Sequence, residues 1–108
     1  MTKHKIQQMT GDYEAWLINS LKNKKTAASY LQVALDEYQN DNDLEAFLLA
    51  LRHVAKAHGG MGKLSQKTCL SRESLYKTLS SKGNPKLQTI SILLKELGFQ
   101  FFIRVAGS

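Results

Sequence analysis

The chain has 108 residues and a formal net charge of +6, which is the size of one domain that can bury a modest core. The sequence contains no run of eighteen apolar residues, so no transmembrane helix is predicted. The charged segment from Lys3 to Lys5 is not followed by the apolar stretch of a secretory signal. The single cysteine, Cys69, excludes an intramolecular disulfide and a cysteine-based zinc cluster. We therefore expect one domain over residues 1–108, located in the cytoplasm.

The net positive charge is concentrated in one part of the chain. Residues 1–60 contain seven Lys and Arg against seven Asp and Glu, whereas residues 61–86 contain six basic side chains and one acid, Glu73. Phosphate neutralisation by Lys and Arg supplies most non-specific affinity for nucleic acids. The stretch therefore predicts a polyanionic partner, with a merely solvated face as the alternative.

Helices are predicted for most of the chain, because Pro85 is the only proline and no β-branched alternation is found before the last ten residues. We predict a first helix over about 12–21 and a second over about 24–38. Trp16 and the tyrosines are expected to fill the core, as aromatic residues do in small domains. The second helix has apolar residues at three- and four-residue spacing, which predict one buried face: Ala27, Tyr30, Leu31, Ala34, Leu35 and Tyr38.

A third helix is predicted between the polar stretch that ends at Asn42 and the glycine pair Gly59-Gly60. Asn42 followed three residues later by Glu45 is typical of a capping box, and Lys56 and His58 suit the last turn of a helix. Its apolar residues repeat with the helical period: Leu44, Phe47, Leu48, Leu51, Val54 and Ala55.

Two short helices are predicted next, over 61–68 and 71–81, with only two residues between them. Ser71 is a good N-cap for the second, and Gly83 is predicted to end it. So tight a connection makes the two helices cross steeply.

A last helix is predicted to begin at Asn84-Pro85 and to end at Gly98, because proline is tolerated at the first helical position. Its predicted apolar face consists of Leu87, Ile90, Leu93, Leu94 and Leu97. The segment 99–105 then has the pattern of a short β-strand. A single strand must pair with a partner chain or lie against the core, and we favour pairing with a second copy or with another protein.

Two short helices joined by a tight turn inside a basic stretch are typical of a helix-turn-helix DNA reader. The pair would be fixed to the core by Leu64, Leu70, Leu75 and Leu79, leaving Ser81 and the candidate base contacts outside: Arg72, Glu73, Ser74 and Lys77. Arginine can pair with guanine, glutamate can accept from cytosine, and serine or lysine can reach a base or a phosphate. The predicted contacts with the DNA backbone, which set register without reading sequence, are Met61, Gly62, Lys63, Lys67, Ser71, Lys82, Asn84 and Lys86.

The same region carries a resemblance to a known family. It rests on Gly60-Met61, Leu75-Tyr76-Lys77, Gly83-Asn84-Pro85, Leu97-Gly98, Tyr30-Leu31, Leu35 and the segment 46–55, and most specifically on the run from Ser71 to Tyr76. These residues resemble the HigA-like antitoxins, which are addiction-module antidote proteins encoded beside a small RelE/HigB-like toxin. Two positions depart from the pattern, because the family usually has Gly where Cys69 stands and Ala where Ser65 stands.

The resemblance implies a mainly α domain of five to six helices with a lambda-repressor-like helix-turn-helix and a short C-terminal β-strand. Within the single domain we expect an N-terminal helical extension (1–42) that could hold toxin or dimer contacts, a DNA-binding helix-turn-helix core (43–98) and the strand (99–105). The resemblance further implies a homodimer that represses its own operon through double-stranded operator DNA and neutralises the toxin, an RNA-cleaving enzyme. The antitoxin would have no catalytic role and no cofactor.

A surface for the toxin is predicted on the electrically neutral front half. A basic, RNA-binding toxin would suit Tyr13, Trp16 and the acidic group Asp36, Glu37, Asp41 and Asp43. Two alternatives remain open. The same helices would serve a stand-alone repressor of the phage type, and a protein-interaction module would carry the basic stretch as a solvated face.

The other chemistry-bearing residues have plain structural interpretations. His4, His53 and His58 lack ligand spacing and are expected at the surface or in caps. Cys69 is expected to be a small buried residue of the turn. No arrangement typical of an enzyme is present, so we predict a protein without catalytic activity.

Overall fold

The computed structural model describes residues 11–107, a bundle of short and medium-length helices. The helices it describes are α1 (Gly11–Ser20), α2 (Lys24–Asp41), α3 (Leu44–Ala57), α4 (Gly60–Thr68), α5 (Arg72–Thr78) and α6 (Leu87–Leu97). The mainly helical architecture is therefore confirmed. Lys3, His4 and Lys5, within the predicted extension 1–42, lie outside the described residues. No helix of the described part is long and apolar enough to cross a membrane.

Helix α3 forms the centre of the core, because it is apolar on almost every face. Phe47, Leu48, Leu51 and Val54 are all buried, and α1, α2 and α4 pack directly against this helix. Helices α5 and α6 pack on α4 from the other side. The core thus joins the front half of the chain to the basic stretch in one apolar cluster.

The ends of α2 show why one predicted start signal is wrong. Asn23 caps the first turn, since its side-chain oxygen accepts a hydrogen bond from the Thr26 backbone N–H at 2.9 Å. Asn42, predicted to open the next helix, instead closes α2 in the left-handed conformation, with φ of 60° and its N–H donated to the Tyr38 carbonyl. Asparagine tolerates this conformation, and Asp43 holds the N-cap position of α3 without a side-chain capping bond.

The end of α5 also differs from the prediction. The helix ends at Thr78, with Leu79 as its C-cap, and does not continue to Ser81. Gly83 does not end the helix but comes close to its last turn, because a Cβ built there would collide with the Thr78 carbonyl oxygen. Glycine is needed at this position for a close approach of two backbone segments.

The start of α6 lies later than predicted. The helix begins at Leu87, with Lys86 at the N-cap, so Asn84-Pro85 precedes the helix and does not open it. Leu87 is 72% exposed and is not part of the buried face, whereas Ile90, Leu93, Leu94 and Leu97 are buried as predicted. Gly98 closes the helix as predicted, with φ of 95°.

The predicted C-terminal strand is not found in the described part of the chain. Residues 99–105 have no regular hydrogen-bonded structure, and no strand occurs within residues 11–107. The physical reason is that a strand needs a partner, and this helical chain offers none. Phe99 packs against the core, while Phe102, Ile103 and Val105 are largely exposed.

Two predictions about aromatic and histidine side chains are wrong. Trp16 is 61% exposed and stacks on Tyr13, with 5.6 Å between the ring centroids, so it does not fill the core. His53 is not at the surface but 2% exposed inside α3. His58 does cap α3, and its Nε2 lies 2.8 Å from the Leu21 carbonyl oxygen.

The buried His53 is the centre of a polar contact between three helices. Its Nδ1 is 2.8 Å from the Tyr30 hydroxyl of α2, and its Nε2 is 3.6 Å from Glu14 Oε2 of α1. The same carboxylate oxygen lies 3.4 Å from Lys56 Nζ. Burial lowers the pKa of His53 although Glu14 opposes the shift, and burial raises the pKa of Tyr30 to about 12.

Candidate nucleic-acid interface

Helices α4 and α5 are joined by only three residues, 69–71. Cys69 ends α4 with φ of 62°, and its N–H is donated to the Ser65 carbonyl at 3.0 Å. The Ser65 hydroxyl in turn donates to the Leu70 carbonyl oxygen. Both departures from the family pattern therefore take part in this turn. Cys69 is exposed, which contradicts the expectation that it is buried.

Ser71 starts α5 as predicted. Its Oγ accepts a hydrogen bond from the Ser74 backbone N–H at 3.0 Å and lies 2.9 Å from the Ser74 hydroxyl. This cap fixes the direction in which α5 leaves the turn. The hydroxyl of Ser74, a predicted base contact, is therefore hydrogen-bonded to Ser71 when no DNA is bound.

The leucines predicted to hold the helix pair do face the core. Leu64, Leu75 and Leu79 are at most 4% exposed, and Leu70 is partly buried against the same cluster. Because these residues fix one face of α5, the opposite face is left to solvent.

All the predicted base-contact side chains of α5 are accessible to solvent. Arg72, Glu73, Ser74 and Lys77 are exposed, and Ser81 just beyond the helix is exposed too. Tyr76, half exposed on the same helix, was not among the predicted contacts, although its spacing of four residues from Arg72 puts it on the same side of the helix as that residue. That any of these residues reads a base stays a prediction.

Arg72 reaches back from α5 to the first turn of α4. A Cβ added to Gly62 would lie 3.8 Å from both Cζ and Nε of the Arg72 guanidinium. The arginine thus lies over a helix turn that has no side chain to displace it. The structure brings together a predicted base contact, Arg72, and a predicted backbone contact, Gly62.

The predicted phosphate contacts lie on α4, in the turn after it and in the segment between α5 and α6, and most of them are exposed: Lys63, Lys67, Ser71, Lys82, Asn84 and Lys86. Gly62 is partly buried, and the side chain of Met61 is buried, so only the backbone amide of Met61 could meet a phosphate. The ion pairs that the structure shows among residues 11–107 both involve Glu14, far along the chain from the basic stretch. The excess positive charge of residues 61–86 is therefore not neutralised by a salt bridge within the described part.

The predicted toxin-facing residues lie in the front half, on α1, α2 and the connection to α3. Tyr13 and Trp16 form an exposed stacked pair on α1. In the acidic group, Asp36 and Asp41 are exposed, and Glu37 and Asp43 are partly buried. No group of three His, Cys, Asp or Glu side chains that could hold a metal ion occurs in the described residues.

The polar contact around His53 was missed by sequence reasoning. A signal existed, since α3 is apolar on nearly all faces and a histidine inside such a helix is expected to be buried. Its partner Tyr30 is 23 positions away, and no local pattern links the two.

Comparisons with known proteins point in one direction. Residues 14–105 match the family described as "Probable addiction module antidote protein". A protein of Haemophilus influenzae (strain Rd), described only as uncharacterized, is 34% identical over 79 residues, which make up 73% of this chain and 80% of that protein. No solved structure gives a significant match.

Proposed function

The chain belongs to the family of addiction module antidote proteins, and from that premise we propose that it is a DNA-binding antitoxin of a type II toxin–antitoxin module. In this role it binds and neutralises a RelE/HigB-like toxin and represses its own operon as a homodimer. It performs no chemistry itself. It works in the cytoplasm, where both the toxin's RNA substrate and the operon are found.

The observation that carries the DNA-binding part is the exposed basic face of the α4–α5 pair, whose lysines and arginine form no salt bridge within residues 11–107. Arg72 and Lys77 are both exposed on α5, which buried leucines fix to the core. Lys63 and Lys67 are exposed on α4, and Lys86 is exposed just before α6. A short rigid helix with base-reading side chains and surrounding phosphate contacts is what sequence-specific readout in the major groove needs.

The toxin-binding part is supported by the family and by the exposed aromatic pair on α1. Tyr13 and Trp16 together expose a large apolar surface, and aromatic residues are enriched at the centres of protein interfaces. The acidic residues of α2 add the charge that an RNA-binding, basic partner would favour. We assign this front half to the toxin because it leaves the α4–α5 face available for DNA.

The test combines co-purification with a gel shift. The full chain is co-expressed with the product of the neighbouring gene, and the purified material is added to the DNA upstream of both genes. The expected result is a stable complex that retards this DNA. A second preparation carries Arg72→Ala and Lys77→Ala, and a matched control carries Lys25→Ala and Lys95→Ala, which remove the same charge from exposed positions elsewhere.

Only the Arg72 and Lys77 variant should lose the shift while keeping the partner. A shift without any partner would favour the stand-alone phage-type repressor. Equal behaviour of the two double variants, or no shift at all, would favour the protein-interaction module and contradict the proposed DNA interface.

A further inference from the structure

The exposed segment after α6 has the properties of a strand without a partner. Phe102, Ile103 and Val105 are 81%, 92% and 78% exposed, which is unusual for three apolar side chains within four positions. In the described part of the chain, the backbone groups of residues 100–105 form no hydrogen bond with another backbone group. We propose that this segment pairs with the same segment of a second copy as an antiparallel two-stranded ribbon centred on Phe102.

The sequence of the segment is complementary to itself when it is read in antiparallel register. With Phe102 opposite Phe102 of the other copy, Phe101 faces Ile103 and Phe99 faces Val105. Alternate side chains of a strand point to opposite sides, so these apolar pairs share one face of the ribbon. The other face carries the central phenylalanine pair, flanked on both sides by Gln100 opposite Arg104.

The burial of the segment agrees with this division into faces. Phe99 packs against the core, and Phe101 is 39% exposed against 81% for Phe102, so at the start of the segment the odd-numbered residues lie nearer to the helices. In the paired ribbon, Ile103 and Val105 of one copy lie beside Phe101 and Phe99 of the other. The ribbon thus covers Ile103 and Val105, the most exposed residues of this face, with Phe101 and Phe99 of the other copy, which already lie near the helices of that copy.

A groove next to the segment provides the apolar surface that receives the partner. It has a volume of about 110 Å³ and lies between α2, α3, α6 and the segment itself. Its lining is mainly apolar and includes Leu31, Leu35, Phe47, Leu94, Phe101 and Phe102, with Gln32 and Gln100 as its polar members. Because the interface is formed by the same residues on both copies, it obeys two-fold symmetry and closes at a dimer. Symmetric self-complementarity is the reason why we assign a second copy, and not the toxin, to this surface.

The inference deepens the proposed homodimer, but its test uses neither DNA nor toxin, so that the two can fail separately. The first measurement is the molar mass in solution by light scattering, where a dimer has twice the 12.1 kDa of one chain. Ile103→Asp should give the mass of one chain, because a charge would face the partner's Phe101. Val33→Asp, at a 55% exposed apolar position of α2, is the matched control and should stay dimeric.

The second measurement tests the register by disulfide trapping in full-length protein in which Cys69→Ser removes the native thiol. Residues directly opposite each other have Cβ atoms about 5 Å apart, so Phe102→Cys should give an oxidised covalent dimer. Phe101→Cys should give little or none, since the two copies of that position are offset by two residues and their Cα atoms lie about 8 Å apart.

We expect Phe102→Cys to cross-link while Phe101→Cys does not. We also expect Ile103→Asp to lose the dimer while Val33→Asp keeps it. Equal cross-linking of both cysteine variants, or a dimer that survives Ile103→Asp, would overturn the proposed ribbon. A single-chain mass for the unaltered protein would overturn it as well.

Discussion

Substitution of Arg72 can distinguish base-specific readout of DNA from non-specific attraction between positive charge and phosphates. It is exposed at the start of α5, and its guanidinium lies over the first turn of α4 at Gly62. We expect Arg72→Ala to cost about 1–3 kcal/mol of DNA-binding free energy on the operator and to relax discrimination at one base position. Binding to operators with single base changes, measured by fluorescence anisotropy, gives both quantities.

Lys86→Ala is the control for that prediction, because Lys86 is a predicted phosphate contact. Its loss should weaken the binding of operator and random DNA by the same factor. If Arg72→Ala also weakened both by the same factor, Arg72 would be a phosphate contact, and the base-reading role would have to be given up.

Cys69 is a residue whose backbone conformation does not suit it. Its φ of 62° is a left-handed conformation that costs an ordinary L-residue about 1 kcal/mol and that glycine adopts without strain. We expect Cys69→Gly to raise the free energy of unfolding by about 0.5–1 kcal/mol in urea denaturation. Gln66→Gly, three residues earlier on the exposed side of α4, should lower it by about the same amount, because glycine weakens a helix interior. A loss of stability in both variants would contradict the assigned turn conformation.

At the scale of helices, apolar periodicity predicted most of what the structure shows. The buried faces of α2, α3 and α6 repeat every three or four residues, and the α4–α5 pair could be recognised because its leucines, its cap and its basic residues all lie within one short stretch. Helix ends were predicted less well. Asn42 and Gly83 are residue types that mark helix boundaries in either interpretation. Which helix each one borders is shown only by the conformation of the backbone around it.

The predictions that failed at this scale concern residues whose contacts are distant in sequence or require another chain. His53 is buried because Tyr30 and Glu14 come to it from other helices, and a local pattern contains neither contact. The segment 99–105 has a strand pattern but no strand within the described chain, since pairing requires an edge that the sequence alone does not supply.

The contact between α1, α2 and α3 predicts a pH dependence of stability. His53 has an ordinary pKa of 6.5, and burial lowers its pKa in the folded protein. The unfolded chain therefore binds the proton more readily. The free energy of unfolding should fall as the pH drops through about 6.5 and should level off below the folded pKa. Urea denaturation between about pH 7.5 and 5.5 measures this, a range above the titration of ordinary carboxylates.

Two variants separate this titration from a general loss of packing. His53→Asn removes the titrating group, so its unfolding free energy should vary less with pH, whatever its absolute value. Tyr30→Phe removes the hydrogen bond to Nδ1 and should cost about 1–2 kcal/mol, while the pH dependence stays because His53 remains buried. An unchanged pH dependence in His53→Asn would assign the effect to another group.

At the scale of the whole molecule, the separation of charge predicts which lysines govern the salt dependence of DNA binding. The molecule extends 38 × 33 × 28 Å, several times the screening length of about 8 Å at physiological salt. Lys86 holds the N-cap position of α6, whereas Lys95 lies nine residues further along the chain, which is about 13 Å along a helix axis. Lys25 belongs to the same distant end, since its neighbour Lys24 lies over the ring of Phe99 just beyond α6. A phosphate bound at the α4–α5 face should therefore respond to the near lysines and not to the distant ones.

Two double variants with the same change in net charge test this directly. Each phosphate contact contributes about 0.9 to the slope of log K against log salt, so Lys67→Gln with Lys82→Gln should reduce the magnitude of the slope by about 1.8 per chain. Lys25→Gln with Lys95→Gln should leave the slope almost unchanged, because those ammonium groups displace no counterions from the DNA. Titrations at several salt concentrations measure both. If both pairs reduced the slope equally, the net charge of the molecule would attract DNA without a defined face. That result would contradict the interface on α4 and α5.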